Sequence, residues 1–240
     1  MKFYACTYGD EKYEKSISLL KKTFESEGKV DKVFDYHKQW LMSTEFWRKN
    51  EFILSRPRGA GYWIWKPYIM LETFKNMEDG DVLMYVDAGV KAISDLTPLR
   101  DITVDNGKML FYLGFQNKQW TKRDCFVLLN ADEEKYWNGP QTNAFCQLYV
   151  KNKENEEFLK EYLRYLRDPR VVTDDINVCG KPNFLDFRDH RHDQSVLSLL
   201  TIKYRFNVFA DPSQWGNDVR ANFSNSPYGQ LLHHHRNFKH

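Results

Sequence analysis

The residues best suited to chemistry stand at the end of an apolar run. Asp81–Gly89 reads DVLMYVDAG: Val82 to Val86 pass without a polar break, then give way to Asp87, Ala88 and Gly89. A strand that apolar is buried on both faces. A carboxylate at its end, beside two small residues, is placed to meet a ligand that lies against the backbone. A second group, HRHDQS, holds His190, His192, Asp193 and Gln194, and a third is His233, His234 and His235 in LLHHHRNF. Imidazole and carboxylate together suit divalent cations. The triple histidine reads equally as a surface tail. Asp193 reads equally as an N-cap or first-turn acid and as a group that, with Gln194, faces a substrate. Arg56, Arg58 and Lys66 surround SRPRGAG (Ser55–Gly61); cations there could meet a diphosphate or be solvated surface.

Other chemistries find no support. HExxH and zinc-type Cys/His spacings are absent, as are GxGxxG, a Walker sequence and GxSxG. A zinc hydrolase, a dinucleotide dehydrogenase, a P-loop NTPase and a serine hydrolase therefore lack their signatures.

The elements that must position these residues follow from periodicity. Phe3–Thr7 is a short strand, and ACTYGDEKY (Ala5–Tyr13) runs from it through a small, polar loop into a helix over Tyr13–Ser26, with Ile17, Leu20 and Phe24 at helical spacing. Lys32–Tyr36 is a second strand, Trp40–Leu54 a helical stretch, and Ser55–Gly61 a loop by its Pro and Gly content. Pro67 suits the first turn of a helix running to about Met77. Strand–helix alternation of this kind gives a mostly parallel sheet flanked by helices, an α/β fold whose ligands bind beyond the carboxyl ends of the strands. Asp87 stands at that edge. Further on, Met109–Phe115 and Phe145–Val150 read as strands and Glu156–Leu166 as an amphipathic helix. Asp168–Asp189 is a long polar segment, which usually means function or disorder. Ser195–Lys203 and Arg205–Ala210 are a closing helix and strand.

At 240 residues, with no Gly/Ser/Pro linker and no internal repeat, one domain over 1–240 is the economical reading. With 35 basic and 33 acidic residues there is no basic excess to hold nucleic acid. The four cysteines are scattered with no CxxC pair, which points to buried free thiols and a reducing, cytoplasmic setting. The N-terminus turns polar too soon for a signal peptide, and no window approaches about 18 apolar residues, so no transmembrane segment is expected. Aromatic residues make up 16% of the chain, a surplus that fills core and also offers faces for sugar rings.

Taken together, GYWIWKPYIMLETFKNMEDGDVLMYVDAG and HRHDQS resemble a nucleotide-sugar glycosyltransferase of the A-type fold. The first looks like the donor-side segment of small bacterial and viral capsule and surface-glycan glycosyltransferases. The motif order is also similar to the glycogenin-like and lipopolysaccharide galactosyltransferase family. The resemblance implies a donor half over 1–115 and an acceptor half with the C-terminal tail over 116–240. It implies that Thr7 and Tyr8 in the first loop, Lys66, Asp87, Ala88 and Gly89 bind a nucleoside diphosphate sugar. It assigns Mn²⁺ or Mg²⁺ to Asp87 and to one of the tail histidines, His234 being the central candidate. It sets Asp193 and Gln194 against the transferred sugar, with a glycan, glycolipid or glycoprotein as acceptor in polysaccharide biosynthesis. The third position of the family's DxD is Gly89 here, so the site has one carboxylate fewer, and a metal-independent enzyme stays open. Whether the enzyme inverts or retains also stays open. On this reading Asp193→Asn, which can still cap, keeps its stability and loses transfer, and removing Leu231–His240 abolishes Mn²⁺-dependent donor binding. Two rivals are a metal-dependent phosphoesterase, which wants a second carboxylate cluster near Asp87, and a non-catalytic glycan-binding module, which needs neither the nucleotide loop nor Asp87.

Overall fold

The computed structural model describes residues 1–235. Its centre is a six-stranded sheet in the order β2-β1-β3-β6-β5-β7. The strands are β1 (Phe3–Gly9), β2 (Lys32–His37), β3 (Val82–Val86), β5 (Lys108–Gln116), β6 (Pro140–Val150) and β7 (Val208–Phe209). The pairs β1–β2, β1–β3 and β5–β7 are parallel, whereas β6 runs antiparallel to both β3 and β5. The sheet is thus mostly parallel, as the alternation of elements predicts.

Period-two alternation splits β3 between two core layers. Val82, Met84 and Val86 join the layer under helices Glu14–Ser26 and Thr97–Asn106. Leu83 and Tyr85 join the layer under helices Trp65–Phe74, Lys153–Leu166 and Asp193–Lys203. Every residue of β3 is buried, which is why the run is apolar throughout. Among the described residues no helix is long and apolar enough to cross a membrane. Cys6, Cys125 and Cys146 are buried free thiols, and Cys179 is a partly exposed one.

The structure departs from the periodicity in three places that matter to the site. The helical stretch at Trp40–Leu54 breaks in two, Lys38–Ser43 and Glu45–Leu54, because extended Thr44 turns its hydroxyl to the N–H of Trp47 (3.1 Å) and caps the second helix. The long polar segment after Asp168 is ordered by a buried pair: Asp124 accepts from the N–H groups of Val178 and Cys179, and Lys122 donates to the carbonyl of Asp175 (2.6 Å). The triple histidine is no surface tail. Leu232–His234 forms β8, paired antiparallel with β4 (Val90–Ala92), so that His234 lies opposite Val90. Leu231 and Leu232 are buried in the second core layer. The rest of that segment, 236–240, lies outside the described residues.

Candidate active site

Asp87 stands one residue beyond β3, at the carboxyl edge of the sheet, with its N–H on the carbonyl of Phe145 (2.9 Å). Two residues back, on the same strand face, Tyr85 donates its hydroxyl to Asp87 Oδ1 (2.6 Å). Burial, and then the charge of Asp87, hold the Tyr85 phenol well above its ordinary pKa, so it stays a donor.

Beneath Asp87 lies a buried ion cluster. Lys66, from the first turn of helix Trp65–Phe74, is 3% exposed. Its Nζ sits 2.8 Å from Asp193 Oδ2 and 3.5 Å from Asp87 Oδ1, and donates to the carbonyl of Ala144 (3.1 Å). Burial works against the Lys66 charge, and the two carboxylates more than offset it, so its pKa is raised. Asp193 is equally buried; burial pushes its carboxyl up to about 6 against the pull of Lys66. Asp193 is the first residue of its helix, a first-turn acid and not the N-cap, and its carboxylate lies against Lys66. The Asp87 side chain, 40% exposed, is the face this cluster shows to solvent.

Two cavities meet at Asp87. The larger, about 540 Å³, runs between the loop after β1 and Asp87–Gly89, with Tyr8, Asp10, Trp65 and His234 in its walls. Tyr8 stacks on Trp65 at 4.2 Å. Thr7 is buried within β1, so the cleft takes Tyr8 and not Thr7 from that strand. Ala88, Gly89 and, of the three tail histidines, His234 line it. The smaller cavity, about 200 Å³, is walled by Lys66, Asn143, Arg191, His192, Asp193 and Gln194. Asn143 is fixed by Asp211 (2.9 Å) and by the N–H of Phe145 (3.1 Å). Gln194 spends its amide N–H on Gln141 (2.8 Å).

Trp63 lines both cavities. It ends a left-handed turn in which Gly59, Ala60, Gly61, Tyr62 and Trp63 have φ of 58°, 50°, 95°, 54° and 59°. Each non-glycine residue held there costs roughly 1–2 kcal/mol. A Cβ at Gly59 would lie 2.3 Å from the Trp63 ring, and one at Gly61 2.5 Å from the Leu54 backbone. The turn is closed by the Tyr62 N–H on the Arg58 carbonyl (2.7 Å) and by the Trp65 indole on the Gly59 carbonyl (3.0 Å).

Several sequence candidates take structural partners. Arg58, in the wall of the small cavity, binds Asp189 (2.6 Å) and Asp174 (3.2 Å) of the long polar segment, and Arg56 lies 3.9 Å from Asp175. His190 receives the N–H of Lys122 and sets its other ring nitrogen on the Val171 carbonyl. His192 sets Nδ1 on the Val172 carbonyl (2.8 Å). Both rings are buried, and burial holds both pKa values down, so they act as neutral fasteners. Tyr85, Trp63, Asn143 and Asp211 belong to the site without having been singled out. The spacing of Tyr85 to Asp87 was a usable signal; Asp211, 68 residues from Asn143, carried none.

A divalent cation fits this site only in a limited sense. Asp87 and His234 offer a carboxylate and an imidazole to one cleft. Among the described residues no group of three or more His, Cys, Asp or Glu side chains gathers to hold an ion. Such a pair suits a cation that takes its remaining ligands from substrate phosphates and water, as Mg²⁺ commonly does.

No family model and no curated protein matches the sequence. Solved structures do. Mouse xyloside xylosyltransferase 1 aligns over 100% of both chains at 11% identity, with a TM-score of 0.52. The galactosyltransferase LgtC, solved with donor and acceptor sugar analogues, aligns over 98% of this chain and 87% of its own at 14% identity, with a TM-score of 0.52. The bifunctional glycosyltransferase WbbM aligns over 98% of this chain and 46% of its own at 12% identity, with a TM-score of 0.55. The structural neighbours of this chain are glycosyltransferases, and the chain has the A-type glycosyltransferase fold.

Proposed function

We propose that this chain transfers a hexosyl or pentosyl group from a nucleoside diphosphate sugar to a hydroxyl of a glycan, glycolipid or glycoprotein acceptor. The observation that carries the reading is the position of Asp87, exposed where a nucleotide-sized cleft meets a small polar cavity, above the buried Lys66–Asp193 pair. Tyr8 and the loop after it would take the nucleoside, Asp87, Ala88 and Gly89 the diphosphate, and Asn143, Asp193 and Gln194 the sugar. Residues 1–115 then form the donor half and the remainder the acceptor half. The buried thiols support a reducing, cytoplasmic setting, with polysaccharide biosynthesis as the context.

The departing diphosphate gains negative charge, and a prearranged positive environment is the largest aid such a step can receive. Mn²⁺ or Mg²⁺ held by Asp87 and His234 would supply part of it. Lys66 offsets one of the two carboxylate charges that would otherwise repel the diphosphate. Tyr85 turns Oδ1 of Asp87 inward, which leaves the other oxygen to the cleft. Trp63, in the wall of both cavities, would stand between nucleotide and sugar.

The direct test is a thermal-shift panel of UDP-, GDP- and other nucleotide sugars with and without Mn²⁺. One donor should raise Tm and be slowly hydrolysed to its nucleoside diphosphate; a panel without any shift or turnover would sink the reading. Because Leu231 and Leu232 are buried, deletion of the tail would damage the fold, and His234→Ala is the cleaner probe. It should leave Tm nearly unchanged and abolish the Mn²⁺-dependent part of nucleoside diphosphate binding. Undiminished Mn²⁺ dependence would remove His234 from the site.

A further inference from the structure

Assigning each cation around the site to its acid leaves two arginines over. In the small cavity, Arg58 is committed to Asp174 and Asp189, and Lys66 to Asp193 and Asp87. A third cavity of about 550 Å³ is lined by the polar segment 174–190, Asp174 and Asp189 included. There Lys122 faces Asp124, and Lys181 binds Asp132 at 2.7 Å. Arg191 in the small cavity and Arg188 in the third have no acidic partner among the described residues. Both guanidinium groups lie on one indole, that of Trp120, at 4.3 Å for Arg191 and 5.8 Å for Arg188.

That arrangement is built, not incidental. The N–H of Arg188 donates to the Gln119 carbonyl (2.8 Å) and that of Arg191 to the Trp120 carbonyl (3.0 Å). Ser195, from the helix that begins with Asp193, adds its hydroxyl to the same Trp120 carbonyl (2.8 Å). The segment carrying Asp193 and Gln194 and the segment carrying Trp120 are therefore locked in register. Phe115, 49% exposed, extends the surface from the edge of Trp120.

We propose that Trp120, Arg188 and Arg191 seat the acceptor, and that the acceptor is an anionic glycan bearing a carboxylate or phosphate next to the reacting hydroxyl. The proposal rests on the transferase reading above. A guanidinium stacked on an aromatic face keeps its N–H edge for a ligand, and that planar fork matches carboxylate and phosphate oxygens. Stacking also restricts the side chain beforehand, so less freedom is lost on binding. Two like charges held near one ring repel each other, and an anion beside either of them relieves that repulsion. The donor diphosphate is the wrong occupant, because neither arginine lines the nucleotide cleft.

Calorimetry with defined probes tests this on the full chain, with and without UDP or GDP. Trigalacturonic acid and its neutral methyl ester share one trisaccharide and differ in the carboxylates, and glucose 1-phosphate offers a phosphate on a single sugar. At least one anionic probe should bind about 10-fold or more tightly than the ester. The double variant Arg188→Gln, Arg191→Gln should lose that preference, with Tm and nucleoside diphosphate affinity unchanged. Tighter binding of the galacturonate probe over the phosphate supports a carboxylate seat, and the reverse a phosphate seat. Equal binding of all three probes, no binding of any, or a preference that survives the double substitution would overturn the proposal. Absence of UDP and GDP binding would instead count against the transferase reading, since the anion preference is measured independently of nucleotide.

Discussion

Asp87→Asn should lower sugar transfer by about 10²–10³-fold, the scale seen when one preorganised electrostatic group is removed from a reaction centre. Stability should fall by about 1 kcal/mol, because Lys66 keeps Asp193 at 2.8 Å and loses only its longer contact to a partly exposed carboxylate. The side chain is 40% exposed, and an amide oxygen can still accept from Tyr85. The variant keeps the shape of the site and loses only the charge between cleft and cavity. Steady-state transfer with the donor identified by the panel, together with a melting curve, separates the two effects. Near wild-type transfer by a folded Asp87→Asn protein would end the assignment of Asp87.

Lys66→Met should destabilise the protein in a pH-dependent way. Removing one partner of a buried ion pair typically costs about 3–5 kcal/mol, because the other charge is left without compensation. Here the stranded group is Asp193, whose carboxyl already sits at about 6 with Lys66 in place. A carboxyl whose pKa is higher in the folded than in the unfolded chain holds its proton more tightly when folded. Its contribution to stability is complete below the unfolded value, about 3.9, and is lost as pH rises through the folded value. Without Lys66 the folded value rises further. At pH 5 the variant therefore carries a neutral acid and a small deficit, and at pH 8 it carries the full one. Melting curves of both proteins at pH 5 and pH 8 read this directly; a deficit of equal size at both would show that Asp193 is not the stranded charge. The same pair alters the expectation for Asp193→Asn. Asp193 is not the N-cap, and the amide would leave Lys66 with Asp87 as its one acidic partner, so the variant should lose stability as well as transfer.

Much of the frame could be read along the chain because it depends on near neighbours. An apolar run such as VLMYV must be a strand covered on both faces, and Ile17, Leu20 and Phe24 must share one helix face, whatever surrounds them. The carboxylate at the end of that strand then falls at the ligand edge of a parallel sheet by topology alone. Contacts between distant segments obey no such rule. Nothing local to HHH requires that it pair with Val90–Ala92, and nothing local to Arg58 names Asp174 and Asp189, over a hundred residues away. Lys66 looks like a solvated cation until the sheet and the helix of Asp193 enclose it, when desolvation makes its two carboxylates obligatory partners. The left-handed turn at Gly59–Trp63 is hidden for a related reason. Local preference opposes it at Ala60, Tyr62 and Trp63, and it persists because Trp65 and the packing of Gly61 on Leu54 hold the backbone there. Periodicity reports where a residue lies on its own element, whereas a buried charge or a strained turn is settled by what the rest of the chain places against it.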